Sequence, residues 1–335
     1  MSLPKLLQNR LSLPIIGAPM FIVSGPELVI AQCKAGIIGS FPALNARPKE
    51  LLTEWIGRIK RELSAYQSEN PSVRVAPFAV NQIAHKSNDR LEHDMAVCVQ
   101  HEVPIIITSL RPPAEVVKAV HGYGGIVLHD VINVRHAEKA LEEGVDGLIL
   151  VCAGAGGHAG ALSPFALLTE VRRFYSGTIC LAGAITSGAH VLAAQAIGAD
   201  LAYMGTRFIA TEEAHALPAY KQMLIDTTAK DIVYSSLFTG VHGNYLKPAI
   251  AATGLDPDNL PTADKSTMNF GSAGNSAAKA WRDIWSAGQG VGNIDDAPSV
   301  ATLVTRMRQE YDAAFDALTK NVCRTNAVAT AKPNV

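Results

Sequence analysis

Eight short apolar runs recur through the first 210 residues of the chain, and they constrain its fold more than any other feature. The runs do not alternate with polar residues, which is typical of parallel strands buried on both faces. Each run is followed by a polar or amphipathic stretch long enough for a helix. The runs cover residues 15–20, 36–41, 75–81, 104–110, 125–131, 147–153, 178–185 and 201–208. This alternation predicts repeated strand–helix units.

The segments between the runs have helical character. Residues 134–144 and 189–198 carry Ala and Leu at helical spacing and end in Gly, a common residue at helix C-termini. Repeated strand–helix units imply right-handed crossovers and a parallel sheet. Eight of them favour a closed barrel over an open sheet, and the first strand lacks the G-x-G-x-x-G fingerprint of a dinucleotide-binding sheet. We therefore predict an α/β fold, a (β/α)8 TIM barrel over residues 1–210.

The strand rhythm ends after residue 210. Residues 211–296 contain helical pieces and loops rich in Gly, Asn and Pro. We expect them to form an appended helical insertion, or lid subdomain, that overhangs the barrel mouth. A final helix at about 297–320 is expected to pack back on the barrel or against a partner, such as a second copy in a homodimer.

The composition of the 335-residue chain excludes several classes of protein. A formal net charge of -1 gives neither a basic groove for nucleic acid nor a polybasic membrane surface. No apolar run reaches membrane-spanning length, and the N-terminus lacks a secretory signal. The five cysteines are scattered without C-x-x-C spacing, which argues against disulfides and zinc. We therefore expect a cytoplasmic globular protein.

The functional face of a TIM barrel lies at the carboxyl ends of its strands. After the sixth run, glycines and alanines surround His158 at residues 153–161. Backbone N–H groups at Gly156 and Gly157 could approach a planar or anionic ligand closely, because no side chain stands in the way. His158 is then a candidate general base or hydrogen-bond donor. The alternative is a tight turn with a surface histidine.

Two further segments have the character of phosphate sites, since small residues lie at the ends of the seventh and eighth strands. The candidates are Gly183 and Ala184 in the first segment, and Met204, Gly205 and Thr206 in the second. Compact turns without a ligand are the alternative.

Other candidates come from strand ends and from the insertion. Ala18, Pro19 and Met20 end the first run, Asn81 ends the third with an amide that can both donate and accept hydrogen bonds, and Gln289 could reach a phosphate from residues 285–290. His129 and Asp130 end the fifth run and are also candidates for a functional role. A purely structural hydrogen bond is an equally favoured interpretation of these two residues. A substrate pocket could involve Tyr234, Phe238, His242 and Tyr245, although packing within the insertion is the simpler interpretation.

Five segments, at residues 17–20, 154–160, 182–188, 204–208 and 285–290, together resemble the nitronate monooxygenase family. The resemblance covers about residues 10–300. Relatives of that family include NAD(P)H:quinone reductases and FMN-dependent enoyl-acyl-carrier-protein reductases.

The resemblance implies an FMN-containing TIM barrel without a metal, which oxidises nitronates with O2 to nitrite and a carbonyl compound. His158 matches the catalytic histidine of the family, and an imidazole titrating near neutrality would either deprotonate a nitroalkane or hold the nitronate. The positions that match FMN contacts are Asn81, Gly156, Gly183, Gly205 and Thr206.

Two departures from the family pattern bear on function. Ala184 replaces the second glycine of a Gly-Gly pair, and we expect phosphate binding to survive if its φ is negative. Asp130 stands where quinone-reductase relatives tend to carry Lys. An NAD(P)H-dependent flavin reductase acting on a quinone or enoyl thioester is the alternative within redox chemistry. A flavin-free barrel acting on phosphorylated sugars is the alternative outside it.

Overall fold

The computed structural model describes residues 3–111, 114–262 and 284–329, with side chains as far as residue 320. All eight predicted strands are present in one parallel sheet, with ends that differ from the predicted ones by a few residues. The barrel strands are β1 Ile15–Gly17, β2 Gly39–Pro42, β3 Phe78–Ala84, β4 Ile105–Leu110, β5 Ile126–Val131, β6 Gly147–Val151, β8 Thr178–Ala182 and β9 Leu201–Met204. A ninth, two-residue strand, β7 (Gly157–His158), lies outside the barrel sheet.

The sheet closes into a ring. Its strand order is β1-β9-β8-β6-β5-β4-β3-β2, and a parallel bridge between Ile16 and Ile38 joins the two ends. The Gly17 N–H donates to Ile38 O at 2.8 Å, and the Ile38 N–H donates to Ile15 O at 3.0 Å. The prediction of a TIM barrel is confirmed.

Helices alternate with the strands around the barrel. Residues 134–144 and 189–198, predicted to be helical, form α5 and α7, which are capped by the side chains of Asn133 and Ser187. The helices are α1 Pro26–Lys34, α2 Leu51–Glu69, α3 Leu91–Gln100, α4 Ala114–His121, α5 Val134–Glu142, α6 Pro164–Arg172, α7 Gly188–Ala196, α8 Thr206–Ile209, α9 Pro218–Asp226, α10 Lys247–Ala251 and α11 Val300–Ala329.

The core explains why the strands read as continuous apolar runs. Within β4, Ile105 and Ile107 join the cluster that fills the barrel, whereas Ile106 joins the cluster between sheet and helices. Both faces of each strand are therefore buried, and a polar residue on either face would lose its hydration.

The insertion differs from the sequence prediction. It is not purely helical, because β10 (Ile232–Ser235) and β11 (Gly243–Leu246) form an antiparallel pair, and β11 also pairs with β7. These strands escape prediction because each has only four residues and β11 contains Gly and Asn, which are poor strand formers. The division of the chain into barrel and insertion remains a prediction.

The last helix packs back on the barrel, one of the two arrangements predicted for it. It begins at Val300, lies against α7, and Glu310 accepts a hydrogen bond from the Gly188 N–H at 2.7 Å. Among the described residues, no helix is both long enough and apolar enough to cross a membrane.

Candidate active site

A cavity of about 990 Å³ opens at the carboxyl ends of the barrel strands. Eleven of the thirteen predicted site residues line it. They are Ala18, Pro19, Met20, Asn81, Gly156, Gly157, His158, Gly183, Ala184, Gly205 and Thr206. Loops far apart in the chain thus converge on one space, as the barrel topology requires.

The other two predicted residues lie in the walls and not at the surface of the cavity. Met204 is fully buried, and its carbonyl accepts the Ala18 N–H at 2.8 Å. The Gln289 side chain is exposed, and its backbone N–H donates to Gly154 O at 2.9 Å. Both residues hold other parts of the site in place.

The glycine-rich loop needs its glycines because other backbone segments pass very close to it. A Cβ atom on Gly156 would lie 2.8 Å from Gly288 N and 2.9 Å from Thr206 Oγ1. Gly154 and Gly157 have φ values of 85° and 66°, in the left-handed region that favours glycine. The loop is therefore a tightly packed part of the wall, and not the flexible turn that its composition allows.

His158 lies on this loop, half-buried in the cavity wall. Its Nε2 is 2.8 Å from Thr239 Oγ1, and the Thr239 hydroxyl also lies 3.0 Å from Val241 O. Burial lowers the pKa of His158 to about 4. The expectation that this imidazole titrates near neutrality is thus wrong: it is uncharged at neutral pH, because its surroundings leave little water to solvate a cation.

The insertion secures the histidine loop from the outside. Asn244, which is 3% exposed, donates from Nδ2 to Ala155 O at 2.7 Å, and the Tyr234 hydroxyl donates to Ala159 O at 2.8 Å. Neither Asn244 nor Thr239 is predicted as a site residue. Both lie in segments rich in small polar residues. In such segments the sequence carries no signal that distinguishes a residue that hydrogen-bonds the histidine loop from one in an ordinary loop.

The aromatic residues suspected of lining a substrate pocket divide between two roles. Phe238 lines the cavity, and its ring meets that of Tyr245 edge-on at 4.8 Å. Tyr234 stacks on His242 at 5.0 Å. Tyr245 is buried, so packing within the insertion accounts for it.

The loop after β8 adopts a conformation that the sequence does not reveal. Gly183 has a φ of 137° and Ala184 a φ of 54°. The condition set for phosphate binding by this loop, a negative φ at Ala184, is therefore not met. The Ala184 N–H donates to Gly154 O at 3.3 Å, so this N–H group already has a hydrogen-bond partner within the protein.

The two helices that begin near these loops differ in what they offer a ligand. The start of α7 is occupied, because Ser187 accepts the His190 N–H and Glu310 accepts the Gly188 N–H. Helix α8 begins at Thr206 beside the cavity, but it is a single turn of four residues, and its Phe208 N–H already donates to Gly205 O at 2.8 Å. The turn at Gly205 and Thr206, which lines the cavity, is thus expected to offer backbone N–H groups to an anion more than α7 does.

The glycines around the cavity differ in how closely other atoms pack on them. A Cβ on Gly290 would lie 2.6 Å from Thr186 Cγ2, whereas one on Gly205 would have no neighbour nearer than 3.6 Å. Backbone therefore packs closely on one side of the cavity and stays open at Gly205. No group of three His, Cys, Asp or Glu residues able to hold a metal occurs in the described part of the chain.

A polar wall faces the cavity at the ends of β3, β4 and β5. Asn81 Nδ2 donates to Ser109 Oγ at 2.9 Å and to Ile107 O at 3.2 Å, and the Ser109 hydroxyl donates to Asp130 Oδ2 at 2.5 Å. Burial raises the pKa of Asp130 to about 6, although the Ser109 hydrogen bond opposes this shift.

The sequence profile of the nitronate monooxygenase family matches residues 5–310. The chain belongs to this family. It is therefore an oxidoreductase, and enzymes of the nitronate monooxygenase family are flavin-dependent.

Individual proteins agree with the family assignment. The chain is 26% identical to a nitronate monooxygenase from Paraburkholderia phytofirmans, over 91% of this chain and 94% of that one. It is 25% identical to an octahydroindene-carboxyl-CoA dehydrogenase from Rhodococcus jostii, over 68% of this chain but only 61% of that one. A nitroalkane oxidase from Streptomyces ansochromogenes shares the fold, with a TM-score of 0.78 at 24% identity, over 94% of this chain and 100% of that one.

Proposed function

We propose that this protein is an FMN-dependent enzyme that oxidises alkyl nitronates with O2. Overall, two nitronates and one O2 give two carbonyl compounds and two nitrite ions. In each nitronate the carbon–nitrogen bond breaks, the carbon gains one of the two oxygen atoms of O2, and the nitrogen leaves as nitrite. The observation that carries the proposal is an uncharged His158, fixed by Thr239 in the wall of a cavity that also contains two phosphate-type loops. Bound FMN supplies the electron transfer between nitronate and O2.

The proposed cofactor site uses the residues that line the cavity. Backbone N–H groups of the turn at Gly205 and Thr206, after β9, would hold the phosphate. The glycine-rich loop and the amide of Asn81 would contact the ring system. The binding residues in this proposal are Ala18, Pro19, Met20, Asn81, Gly156, Gly157, Gly183, Ala184, Gly205 and Thr206, with Met204 and Gln289 supporting the walls.

The chemistry of His158 favours a nitronate over a neutral nitroalkane as the substrate. A general base works best when its pKa is near the working pH, and a pKa of about 4 makes this imidazole a weak base. A nitronate has already lost its carbon proton, so it needs no base. For the neutral imidazole to donate a hydrogen bond to this anion, Nδ1 must carry the proton and Nε2 must accept the Thr239 hydroxyl. Arg47, exposed at the cavity rim, adds a positive charge that favours the approach of an anion.

The test compares the purified protein with its His158→Asn variant. We expect the native protein to consume O2 and release nitrite with propyl-2-nitronate much faster than with 2-nitropropane. The variant should keep the flavin absorbance and lose turnover by about 100-fold or more. His93→Asn, on α3 and outside the cavity lining, is the matched control and should behave as the native protein. Unchanged turnover in His158→Asn would refute the role of this residue.

A second candidate is an NAD(P)H-dependent reductase of a quinone or of an enoyl thioester. The observation that favours it is the similarity to the octahydroindene-carboxyl-CoA dehydrogenase from Rhodococcus jostii, whose name gives a bulky thioester as its substrate. Rapid anaerobic bleaching of the flavin by NADH or NADPH, without nitrite release from nitronate in air, would favour this candidate and reject the first.

A further inference from the structure

The polar wall at the ends of β3, β4 and β5 lies across the barrel mouth from the phosphate-type loops. In the closed ring of eight strands, β4 is directly opposite β9, and β3 is directly opposite β8. A ligand held by the loops after β8 and β9 and long enough to cross the mouth therefore meets this wall. Ser109 at the end of β4 is its centre, with Asn81 on one side and Asp130 on the other.

Only one of the two carboxyl oxygens of Asp130 has a hydrogen-bond partner within this wall. Its Oδ2 accepts the hydroxyl proton of Ser109, and Ser109 Oγ in turn accepts a proton from Asn81. Asp130 Oδ1 is shielded from solvent and has no hydrogen-bond partner within the described part of the chain. A buried carboxyl oxygen without a partner is costly, so a ligand or a proton is expected to complete it.

The surroundings of Asp130 disfavour its charged form. Inside the barrel Asp130 lies near Cys180 of β8 and Tyr203 of β9. Burial and this carboxyl both raise the pKa values of the thiol and the phenol, so these groups stay protonated and neutral. Neither group can supply a positive charge to stabilise an ionised Asp130. The other ionisable groups that line the cavity are Arg47, His136, His158, His215 and Tyr220. None of these forms an ion pair with Asp130. Burial lowers the pKa values of His136 and His158, so both are neutral at neutral pH.

We propose that Asp130 carries a proton on Oδ1 when the cavity is occupied, and that it donates this proton as a hydrogen bond to an electron-rich edge of the bound flavin. The inference rests on the proposed FMN cofactor. A neutral donor suits a ring that gains electrons during turnover, whereas a carboxylate in the same place would repel it. The proton comes from solvent, so flavin binding above the pKa of the free carboxyl takes up one proton.

The test measures the dissociation constant of FMN from the full-length apoprotein between pH 5 and 8, by quenching of flavin fluorescence. The comparison is between the native protein and Asp130→Asn, which keeps the shape and a hydrogen-bond donor but cannot ionise. The FMN phosphate itself titrates near pH 6, so the informative quantity is the ratio of the two dissociation constants at each pH.

We expect native FMN binding to weaken relative to Asp130→Asn by about tenfold per pH unit above about pH 6. Below that pH the two proteins should bind with similar affinity. Asp316→Asn, which removes an exposed carboxylate on α11, is the matched control and should follow the native protein at every pH.

Three results would overturn the inference, and they separate its failure from that of the proposed function. A ratio that does not change with pH would refute proton uptake by Asp130 while leaving the cofactor assignment intact. Binding by Asp130→Asn that is more than tenfold weaker than native binding at pH 5 would show that an amide donor cannot replace the protonated carboxyl, which contradicts a role limited to donating one neutral hydrogen bond. Absence of FMN binding by the native protein at any pH would refute the cofactor assignment and this inference together.

Discussion

Ala184 lies in the left-handed region of backbone conformation, which a residue with a Cβ atom rarely adopts. The strain costs roughly 1 kcal/mol, and it persists only because the neighbouring structure imposes it. Gly154 O accepts the Ala184 N–H, and Gly290 packs so closely that a Cβ there would lie 3.0 Å from Ala184 O. The turn keeps the shape that a Gly-Gly pair would adopt without strain.

Replacing Ala184 with Gly should therefore raise the free energy of unfolding by about 1 kcal/mol, as measured by urea denaturation. Flavin content should not fall. The same change at Ala193, on the exposed face of α7, should lower the free energy of unfolding by about 1 kcal/mol, because helix interiors disfavour glycine. Loss of stability in both variants would argue against strain at residue 184.

At the residue scale, sequence patterns identify the candidate residues at strand ends. They do not identify the hydrogen-bond partners or the backbone conformations that fix those residues in place. His158 and Asn81 are predictable because the barrel topology tells which strand ends meet. Thr239 is not, since 81 residues separate it from His158 and no periodic pattern links the two. The φ of Ala184 is equally hidden, because alanine carries no signal for the left-handed region.

At the scale of secondary-structure elements, the contact between α7 and α11 depends on one glycine. A Cβ on Gly188 would overlap the carbonyl oxygen of Met307 and lie 2.5 Å from Tyr311 N. The close approach also brings the Tyr311 hydroxyl to 2.5 Å from Gln195 Oε1. Backbone cannot move aside as the end of a flexible side chain can, so the last helix would have to shift.

Gly188→Ala should therefore lower the free energy of unfolding by about 3 kcal/mol, through separation of the two helices. Gly57→Ala in α2 is the matched control, because its Cβ would meet only the end of the Arg61 side chain at 3.3 Å. That variant should gain up to about 1 kcal/mol from helix propensity. Equal effects of the two substitutions in thermal and urea unfolding would contradict this account.

The type of an element can be predicted from sequence where burial imposes a pattern of apolar residues. The prediction fails where burial imposes no such pattern. The eight barrel strands are covered on both faces, so most positions are apolar and the runs stand out, while polar residues such as Asn81, Ser109 and Asp130 lie towards the carboxyl ends. The strands β10 and β11 include exposed Tyr234 and the small residues Gly243 and Asn244, which pair through their backbones. Backbone pairing alone leaves little trace in side-chain chemistry.

The acid sensitivity of the whole molecule follows from groups buried within the barrel. His129, 2% exposed, is bonded to Thr108 Oγ1 at 2.7 Å, and burial lowers its pKa to about 4. The unfolded chain, with a histidine pKa near 6.5, binds more protons between these values, so stability is lost as the pH falls from about 6.5 to about 4. His158 acts in the same direction. Asp130 acts in the opposite direction, because its folded pKa is raised and its contribution is lost as the pH rises through about 6.

We therefore expect the urea midpoint of the apoprotein to fall between pH 6.5 and pH 4.5. His129→Asn should reduce this fall, and Asp130→Asn should steepen it, because one removes a proton bound by the unfolded state and the other removes a proton bound by the folded state. Each proton corresponds to about 1.4 kcal/mol per pH unit at most. Parallel curves for the three proteins would show that these side chains do not control acid unfolding.

The pairing of β7 with β11 also decides when the site can be completed. Gly157 and His158 find their strand partners at Asn244 and Gly243, and Thr206 Oγ1 accepts the N–H of Gly288, 82 residues further along the chain. During synthesis the barrel strands emerge before either partner of the histidine loop exists. A fragment ending near residue 210 should therefore be inactive, and catalytic competence should arise only as the last third of the polypeptide docks.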